Sequence, residues 1–358
     1  MEEKNTKIMN RVLIVGYYGF NNAGDEMILA SLLEQLRKDS SVIPIVLSNE
    51  ADDTEKSFNV KAFNRWNIFR CLWEIIRSDV LIVGGGGLLQ DYTSSLSLYF
   101  YLFFIIAGKM LRRKVFIWSV GIGPVIKKFN RYLLKKILKI AGCITVRDSF
   151  SFNWIKTNSD NLPNLFLVQD QVFSWTKIYN GHENSKKIAV CLKDTISNEN
   201  LRSFVISLQS FCKDRDIEMI FVPFNKVRDL NICSKYSSEM NSSVFKWKKI
   251  EQLAEFFSTE VSYMASMRFH GAVVACKLGI PFIGIVDSKT IVPDKIELLL
   301  NDIKMSNIID LAKGNWEDIP KYLFNHSNYM QENIFEELTQ KSFSTSVIFF
   351  DYVGQLHL

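Results

Sequence analysis

The sequence predicts an α/β protein built from two doubly wound, Rossmann-like domains. Short apolar runs alternate with helical patterns along both halves of the chain. Such alternation is typical of parallel strands joined by crossover helices. The chain is also 358 residues long, which exceeds the size at which a single hydrophobic core stops growing. We therefore expect two domains that face each other across a cleft.

Apolar runs predict the strands, and a polar stretch separates them into two series. The first series comprises residues 11–15, 42–47, 80–83, 115–120, 144–146 and 165–168, and the second comprises 187–192, 218–222, 262–265 and 281–286. Between the two series, residues 171–184 predict an interdomain linker. The expected domains are therefore 1–175 and 185–335, followed by a C-terminal helix over 336–358 that packs back on the first domain.

Composition and charge exclude several classes of protein. A hydrophobic content of 47% with 23% charged residues is ordinary for a globular protein. The six cysteines are dispersed without metal-ligand spacing, so we expect no metal site and buried, reduced thiols. The net charge of +5 is mild and predicts no nucleic-acid partner. The polar N-terminus MEEKNTKIMN lacks the apolar core of a secretory signal, which predicts a cytoplasmic protein.

A basic region beside an apolar run bears on membrane contact. Lysine and arginine concentrate between residues 112 and 139. The neighbouring run, 96–107, is shorter than the roughly 20 residues that span a bilayer, and it predicts a buried helix of an α/β layer. The alternative is a peripheral surface on the inner face of the membrane, with RYLLKKILKI as its basic amphipathic helix.

The first candidate site is the glycine-rich loop GYYGFNNAGDE, which joins the first strand to a helix. Gly19 and Gly24 permit a close backbone approach to a ligand. The loop matches neither the dinucleotide-binding nor the Walker pattern. Asp25 and Glu26 lie where the next helix begins, so helix capping and contact with substrate hydroxyls both remain open.

Two more glycine-rich segments follow predicted strands. GGGGLLQD begins at residue 84, directly after the strand 80–83. Four consecutive glycines favour a close backbone approach to a ligand, with tight packing of a helix on the strand as the alternative. SVGIGP follows the strand 115–120, and Arg147 ends the next one. Its guanidinium is expected to bind a carboxylate or phosphate, unless it pairs with Asp148.

Arg268 and His270 form the most concentrated polar signal in the chain. They lie in MRFHG, between a predicted strand and an apolar helix. Of the four histidines, only His270 has this setting. Because imidazole donates or accepts a proton near neutral pH, the setting favours catalysis over a structural role. Lys289 follows the neighbouring segment GIPFIGI.

Together, these segments resemble the polysaccharide pyruvyl transferase family. The resemblance rests on GYYGFNNAGDE, GGGGLLQD, VGIGP, TVRDSFS, MRFHG and GIPFIGI, in consistent order from residue 11 to about 290. Asn21 and Lys193 depart from the family pattern, which commonly has glycine and arginine there. The family implies a GT-B-like architecture and transfer of a pyruvyl group from phosphoenolpyruvate to two hydroxyls of one sugar. The product is a cyclic ketal, and phosphate is released.

The resemblance also implies a role for each motif. His270 is expected to act as general acid or acid/base, with Asp25 or Glu26 as a further candidate base. The donor, bound by residues 185–335, would contact Arg147, Arg268, Lys289 and Gly271. The acceptor side and its loops would comprise Tyr18, Gly19, Asn22, Gly24, Gly85, Gly86, Gln90 and Asp91. The acceptor would be a bacterial cell-surface polysaccharide or its lipid-linked precursor, and the reaction requires phosphoenolpyruvate but no other cofactor or metal.

Two other functions stay open at this point. A GT-B glycosyltransferase with a nucleotide-sugar donor would share the architecture, because a fold does not fix a function. A catalytically silent module that binds a glycan or a phosphorylated metabolite would keep the same cleft. A turnover assay separates enzyme from module, and donor preference separates the two enzymes.

Overall fold

A computed structural model describes residues 10–159, 162, 164–179, 185–196, 199–288, 294–324 and 332–354. The chain divides into two compact units. The first is drawn from Met1–Phe20, Ile28–Gln171 and Lys341–Leu358, and the second from Asn21–Met27 and Val172–Gln340. The sequence assigned all of residues 1–175 to the first domain, whereas Asn21–Met27 groups with the second unit.

The first unit contains a parallel sheet of seven strands within the described residues. Its strands are β1 (Asn10–Val15), β2 (Val42–Ser48), β3 (Lys61–Asn64), β4 (Val80–Leu89), β5 (Lys114–Ile122), β6 (Cys143–Val146) and β7 (Leu165–Leu167), in the order β3-β2-β1-β4-β5-β6-β7. The order reverses beside β1, where a doubly wound sheet leaves a crevice at its carboxyl edge. The helices between these strands are α1 (Ala23–Leu36), α2 (Ala51–Phe58), α3 (Ile68–Arg77), α4 (Ser95–Met110), α5 (Lys128–Leu138) and α6 (Ser149–Asn158).

Helices α3, α4 and α5 cover one face of this sheet. Their inward side chains share a single apolar core with the strands, represented by Ile75 of α3, Leu102 of α4 and Leu134 of α5. The run 96–107 thus forms a helix of the α/β layer, as the sequence predicts. Its outer side differs, because Leu96 and Phe103 remain exposed.

The glycines predicted as a loop after residue 83 instead continue a strand. β4 runs through them to Leu89, with a bulge in its pairing with β5 between Gly86 and Leu89. Gly85 and Gly86 have φ of +65° and +75°, a region that side chains with Cβ disfavour. A Cβ on Gly85 would also lie 2.1 Å from Cγ2 of Ile28 on α1. Close packing of a helix on the strand therefore accounts for Gly85 without a ligand.

The second unit contains a parallel sheet of six strands in the described part of the chain. They are β8 (Lys187–Cys191), β9 (Glu218–Phe221), β10 (Ser243–Val244), β11 (Tyr263–Ser266), β12 (Phe282–Val286) and β13 (Ile308–Asp310), in the order β10-β9-β8-β11-β12-β13. The helices are α7 (Glu199–Lys213), α8 (Leu230–Glu239), α9 (Ile250–Glu260), α10 (Phe269–Leu278), α11 (Lys295–Asp302) and α12 (Ile319–Phe324). The final helix, α13 (Glu332–Gly354), begins in this unit and ends in the first.

The segment predicted as a linker is packed rather than loose where the structure describes it. Residues Gln171–Ser174 form a short 3₁₀ helix, and the side chains of Val172, Phe173 and Trp175 are buried. The polar residues 180–184 that suggested a linker lie outside the described residues. The boundary between the two units falls between Gln171 and Val172, within the predicted segment, and the apolar side chains that follow it are buried.

The C-terminal part of α13 packs within the first unit. The ring of Phe349 lies edge-on to Phe116 of β5, with centroids 5.3 Å apart. The ammonium of Lys114 donates a hydrogen bond to the carbonyl of Tyr352 at 2.7 Å. This end of the helix thus covers an apolar surface of the sheet.

The thiols and the helices agree with two further expectations. All six cysteines are free and buried, as the sequence predicts. Burial raises the pKa of Cys71 to about 11 and that of Cys143 to about 12, which disfavours the reactive thiolate. Among the helices of the described residues, none combines the length and the apolar character needed to cross a membrane.

Candidate functional site

The second half of the opening loop forms part of the second unit through backbone hydrogen bonds. The N–H of Ala23 donates to the carbonyl of Phe224 at 2.8 Å, and the N–H of Lys226 donates to the carbonyl of Asn21 at 3.0 Å. The two segments are antiparallel. The loop that follows β9 therefore fixes the first turn of α1 in the second unit.

This arrangement brings Gly24 against His270. His270 is the second residue of α10, at the carboxyl end of β11. A Cβ built on Gly24 would lie 1.9 Å from Nδ1 and 2.5 Å from Cγ of the imidazole. Only glycine leaves room for the ring in this position. The role of Gly24 visible in the structure is thus to admit the histidine.

Asp25 and Glu26 follow within the first turn of α1. The side-chain amide of Asn22 donates to Asp25 Oδ2 at 2.5 Å. The N–H of Glu26 donates to the carbonyl of Asn22 at 3.1 Å, and the Glu26 side chain is buried. Acidic residues in a first turn also complement the helix dipole. Their position in the first turn therefore agrees with a structural interpretation, and the amide of Asn22 orients the Asp25 carboxylate.

Arg268 lies at the N-terminus of α10, where its guanidinium is paired with Asp229. Its Nε donates to Asp229 Oδ2 at 3.0 Å, and its Nη2 contacts Oδ1. Asp229 is completely buried, whereas the Arg268 side chain keeps 19% of its surface exposed. Asp229 is itself oriented by the N–H of Asn225 at 2.8 Å. The fork engages Nε and Nη2, and part of the Arg268 side chain remains exposed to a ligand.

A second cation, Lys193, follows β8 in the same electrostatic environment. Burial and then the positive charge of Arg268 lower the pKa of Lys193, while Asp294 and Asp229 oppose the change. Asp294 caps α11 by accepting from the N–H of Ile296 at 2.8 Å. Burial raises the pKa of Asp294, and the hydrogen bond from Ile296 and the charge of Lys193 partly offset the rise. Two cations thus share a partly buried region.

Gly271 has a packing role that the structure makes explicit. A Cβ at this position would lie 2.1 Å from Oγ and 2.9 Å from Cβ of Ser266. Ser266 Oγ in turn accepts from the N–H of Arg268 at 3.0 Å and donates to its carbonyl at 2.8 Å. Gly271 therefore lets α10 approach β11 closely, and the Ser266 hydroxyl fixes the backbone of Arg268.

In the first unit, the predicted loop residues Tyr18 and Gly19 have internal partners. The buried hydroxyl of Tyr18 donates to the carbonyl of Gly84 at 2.8 Å. Gly19 has φ of +74°, and a Cβ there would lie 2.2 Å from Oγ of Ser48. Both residues join the end of β1 to neighbouring strands.

Gln90 and Asp91 hold the segments after β4 and β5. Gln90 donates to the hydroxyl of Thr93 at 2.7 Å. Asp91 is buried and accepts from the N–H groups of Ile126 at 2.6 Å and Lys127 at 3.0 Å. Burial opposes ionisation of Asp91, but these N–H groups and the amide of Asn130 outweigh it and lower the pKa of the carboxyl. Asp91 therefore anchors the start of α5.

Arg147 is buried within the first unit. Its Nη1 donates to Asp170 Oδ2 at 2.6 Å, and both side chains are at most 3% exposed. Its Nε lies 3.8 Å from Asp148 Oδ2, so the predicted pairing with Asp148 is secondary to that with Asp170. These contacts favour a structural role for the guanidinium.

Sequence reasoning missed several residues of the second unit. Asp229 forms the fork with Arg268, Asn225 orients Asp229, and the charge of Asp294 opposes the lowering of the Lys193 pKa, yet none stands in a motif singled out beforehand. The position of Asn225 just after β9 was a usable signal, because polar residues at strand ends gather at one edge of a parallel sheet. Lys289 lies outside the described residues. No cluster of three metal-ligating side chains occurs among the residues that the structure describes.

Solved structures share the fold of this chain at low sequence identity. A UDP co-structure of MnaA from S. aureus is 10% identical, with a TM-score of 0.64 and 98% of each chain covered. The UDP-GlcNAc 2-epimerase of Methanocaldococcus jannaschii is 13% identical, with a TM-score of 0.62 and coverage of 96% of this chain and 100% of its own. MurG of Acinetobacter baumannii is 9% identical, with a TM-score of 0.55 and coverage of 95% and 99%.

These similarities confirm the predicted class, two Rossmann-like α/β domains of the GT-B type. Because the sequence identities are low, they support the fold alone. No curated protein sequence matches the chain significantly. The model of one family, described as polysaccharide pyruvyl transferase, matches residues 22–288. That match includes the second half of the opening loop, the Arg268–His270 segment and most of the chain, and the protein therefore belongs to the polysaccharide pyruvyl transferase family.

Proposed function

We propose that this protein transfers a pyruvyl group from phosphoenolpyruvate to two hydroxyls of a sugar, forming a cyclic ketal and releasing phosphate. The sugar belongs to a cell-surface polysaccharide or its lipid-linked precursor. The observation that carries the proposal is the imidazole of His270, which lies against Gly24 two residues beyond Arg268. Family membership supports the class of reaction.

The proposed reaction requires one well-placed acid and base. His270 delivers a proton to the methylene carbon of phosphoenolpyruvate, which becomes a methyl group and leaves an electrophilic carbon. The first sugar hydroxyl attacks that carbon and returns its proton to the imidazole. The second hydroxyl attacks as the carbon–oxygen bond to phosphate breaks, and its proton leaves with the phosphate. The histidine thus ends the cycle in its starting state.

The cations of the second unit suit a donor with two anionic groups. Arg268 is oriented by the Asp229 fork, and Lys193 contributes a point charge in a partly buried region. Charges in such surroundings stabilise an anion more strongly than in water. We assign them to the phosphate and carboxylate of phosphoenolpyruvate, with Lys289 as a further predicted cation. Arg147 is removed from the donor set because Asp170 already neutralises it.

The acceptor assignments have weaker support than the donor assignments. Asp25 or Glu26 would serve as base by accepting a proton from a sugar hydroxyl, and for Asp25 that hydroxyl would compete with the amide of Asn22. Gln90 and Asn22 are the predicted acceptor-side residues that keep partly exposed side chains. The other members of that set support the fold around the strand ends, and they would shape an acceptor site indirectly.

The alternative donor is a nucleotide sugar. Two of the structural neighbours described above favour it, namely the UDP co-structure of MnaA and the UDP-GlcNAc 2-epimerase. The sequence pattern of the present chain contains neither of the standard nucleotide-binding glycine motifs. A donor experiment therefore has to include both classes of ligand.

Thermal unfolding in the presence of each donor tests the proposal. A ligand at about 100 times its dissociation constant stabilises the native state by roughly 2.7 kcal/mol. We expect phosphoenolpyruvate to raise the melting temperature, and UDP-GlcNAc and UDP-glucose at equal concentration to leave it unchanged. Inorganic phosphate serves as the control for simple anion binding. Stabilisation by the nucleotide sugars alone would overturn the proposal and favour glycosyl transfer.

A further inference from the structure

The outer surface of the first unit concentrates exposed apolar side chains. In the described part of the chain, thirteen of the twenty exposed large hydrophobic residues fall between Trp66 and Tyr132. Representative exposed fractions are 84% for Phe69, 77% for Leu96 and 65% for Phe129. Soluble proteins rarely leave large contiguous apolar patches, and those they keep usually mark a contact surface.

Ten of these thirteen side chains lie on one helical layer. Helices α3, α4 and α5 pack side by side on the same face of the sheet. The starts of α4 and α5 are joined directly, since Tyr99 donates to Asn130 Oδ1 at 2.6 Å and Lys127 donates to Ser95 Oγ at 2.9 Å. We call this surface the α3–α5 face. It is defined by Phe69, Trp73, Leu96, Phe103, Phe129 and Tyr132.

The α3–α5 face is also strongly basic. The three helices contain seven lysines and arginines but one acidic residue. With the segments that join them, residues 66–142 contain twelve lysines and arginines, of which Lys114 contacts α13 instead, and three acidic residues, a net charge of +9, whereas the whole chain carries +5. Those acidic residues are already engaged. Glu74 is buried and bridges Arg70, Asp79 accepts from the N–H of Arg11, and Asp91 is buried at the start of α5. The remainder of the chain is therefore net acidic, and the positive charge is local.

Charge decides what can cover this face. In a symmetric dimer through the α3–α5 face, the basic surfaces of two copies would oppose each other, and like charges juxtaposed in an interface are costly. An anionic bilayer offers the complementary charge. Aromatic and leucine side chains beside lysine and arginine are the composition of helices that lie in a membrane interface.

We propose that the α3–α5 face docks the protein on an anionic membrane surface, with Leu96, Phe129 and Tyr132 entering the headgroup region. The bound phospholipid class is anionic, and the contact is peripheral. It does not rest on the proposed reaction, because none of the residues assigned to donor chemistry lies on this surface. The membrane proposal can therefore be refuted without affecting the proposal of pyruvyl transfer, and pyruvyl transfer can be refuted without affecting the membrane proposal.

Flotation of the full chain with vesicles tests the proposal. We expect binding to vesicles of phosphatidylglycerol and phosphatidylcholine mixed equally, and little binding to phosphatidylcholine alone. Binding should weaken as salt rises from about 0.01 M to about 1 M, because the Debye length falls from about 30 Å to about 3 Å. Absence of binding to the anionic vesicles at low salt would overturn the proposal.

Two paired variants locate the contact. Lys128→Glu with Lys136→Glu, and Leu96→Ser with Phe129→Ser, should each weaken partitioning at least about tenfold. The matched controls, Lys213→Glu with Lys248→Glu and Tyr179→Ser with Val347→Ser, alter residues that are also exposed but lie elsewhere. Equal losses in test and control variants would contradict the assignment, as would a dimer of the free protein that the test variants abolish.

A measurement on Trp73 keeps the proposal testable if a paired variant fails to fold. Trp73 lies on α3 and is half exposed. Brominated anionic lipid should quench tryptophan emission of the wild-type protein, and Trp73→Phe should lower the quenched fraction. Quenching that is unchanged in Trp73→Phe would place the contact elsewhere.

Discussion

The strand ends of the two units contain similar motifs but use them differently. In the first unit, Arg147 is neutralised by Asp170, and Asp91 is engaged by the start of α5. In the second, Arg268 is paired with Asp229 yet remains partly exposed, and a second cation lies near it. Motifs of equal prominence in the sequence thus serve architecture in one unit and are available for chemistry in the other. The predictions below test that difference.

The largest effect is expected from His270→Ala. Loss of a general acid typically lowers turnover by about 100-fold or more. Stabilisation by phosphoenolpyruvate should persist, because the cations remain. The readout is phosphate release in the presence of a glycan acceptor that supports turnover of the wild-type protein. Near-normal turnover would remove His270 from the chemistry.

Gly24→Ala should mimic the loss of His270 in a milder form. The added methyl group would occupy the position of the imidazole, and a displacement of about 1 Å in a catalytic group can cost on the order of 100-fold in rate. Gly354→Ala is the matched control, because its methyl group meets no atom within 4 Å. If Gly24→Ala keeps full turnover, the contact with His270 does not position the ring for catalysis.

Arg147→Met should affect stability far more than donor binding. Removing one partner of a buried ion pair usually costs about 3–5 kcal/mol, because the other charge stays buried without compensation. Denaturant unfolding measures the loss. Lys186→Met, which breaks an exposed pair with Asp216, should change stability by less than about 1 kcal/mol. If both variants change the free energy of unfolding by a similar small amount, Arg147 has no structural role.

Lys193→Met is expected to stabilise the protein modestly at neutral pH. Burial and Arg268 lower the pKa of Lys193 in the folded state, so keeping the ammonium charged there costs stability. That cost is full below the folded-state pKa and disappears as pH rises toward the ordinary value of 10.5. The gain in melting temperature over wild type should therefore shrink at alkaline pH. A pH-independent gain would point to packing, and Lys213→Met at an exposed site serves as control.

The interior strands of both sheets could be predicted, and the strands that were missed lie at sheet edges. β3, β10 and β13 each end a sheet. An edge strand has a neighbour on one side alone and is more exposed, so its sequence lacks a continuous apolar run. The extension of β4 through its glycines was missed for another reason. Glycine is a poor strand former, and here the pairing with β5 and the packing of α1 override that preference.

Only those residues of the candidate site that lie close together in the sequence could be predicted. Arg268 and His270 stood out because a strand end and a helix start enclose them. Their partners Gly24 and Asp229 come from distant segments, and nothing in the spacing of the sequence brings them together. Arg147 shows the converse, since its strand-end position suggested ligand binding while a buried partner elsewhere in the chain neutralises it.

The most direct test of the difference between the two units is a calorimetric titration with phosphoenolpyruvate. Wild type, Lys193→Met and Arg147→Met would be compared under conditions in which each is folded. We predict that Lys193→Met weakens binding at least about tenfold, as expected for loss of a charge-assisted contact, and that Arg147→Met leaves the affinity nearly unchanged. Weakened binding in Arg147→Met with normal binding in Lys193→Met would contradict the assignment of the donor site to the second unit.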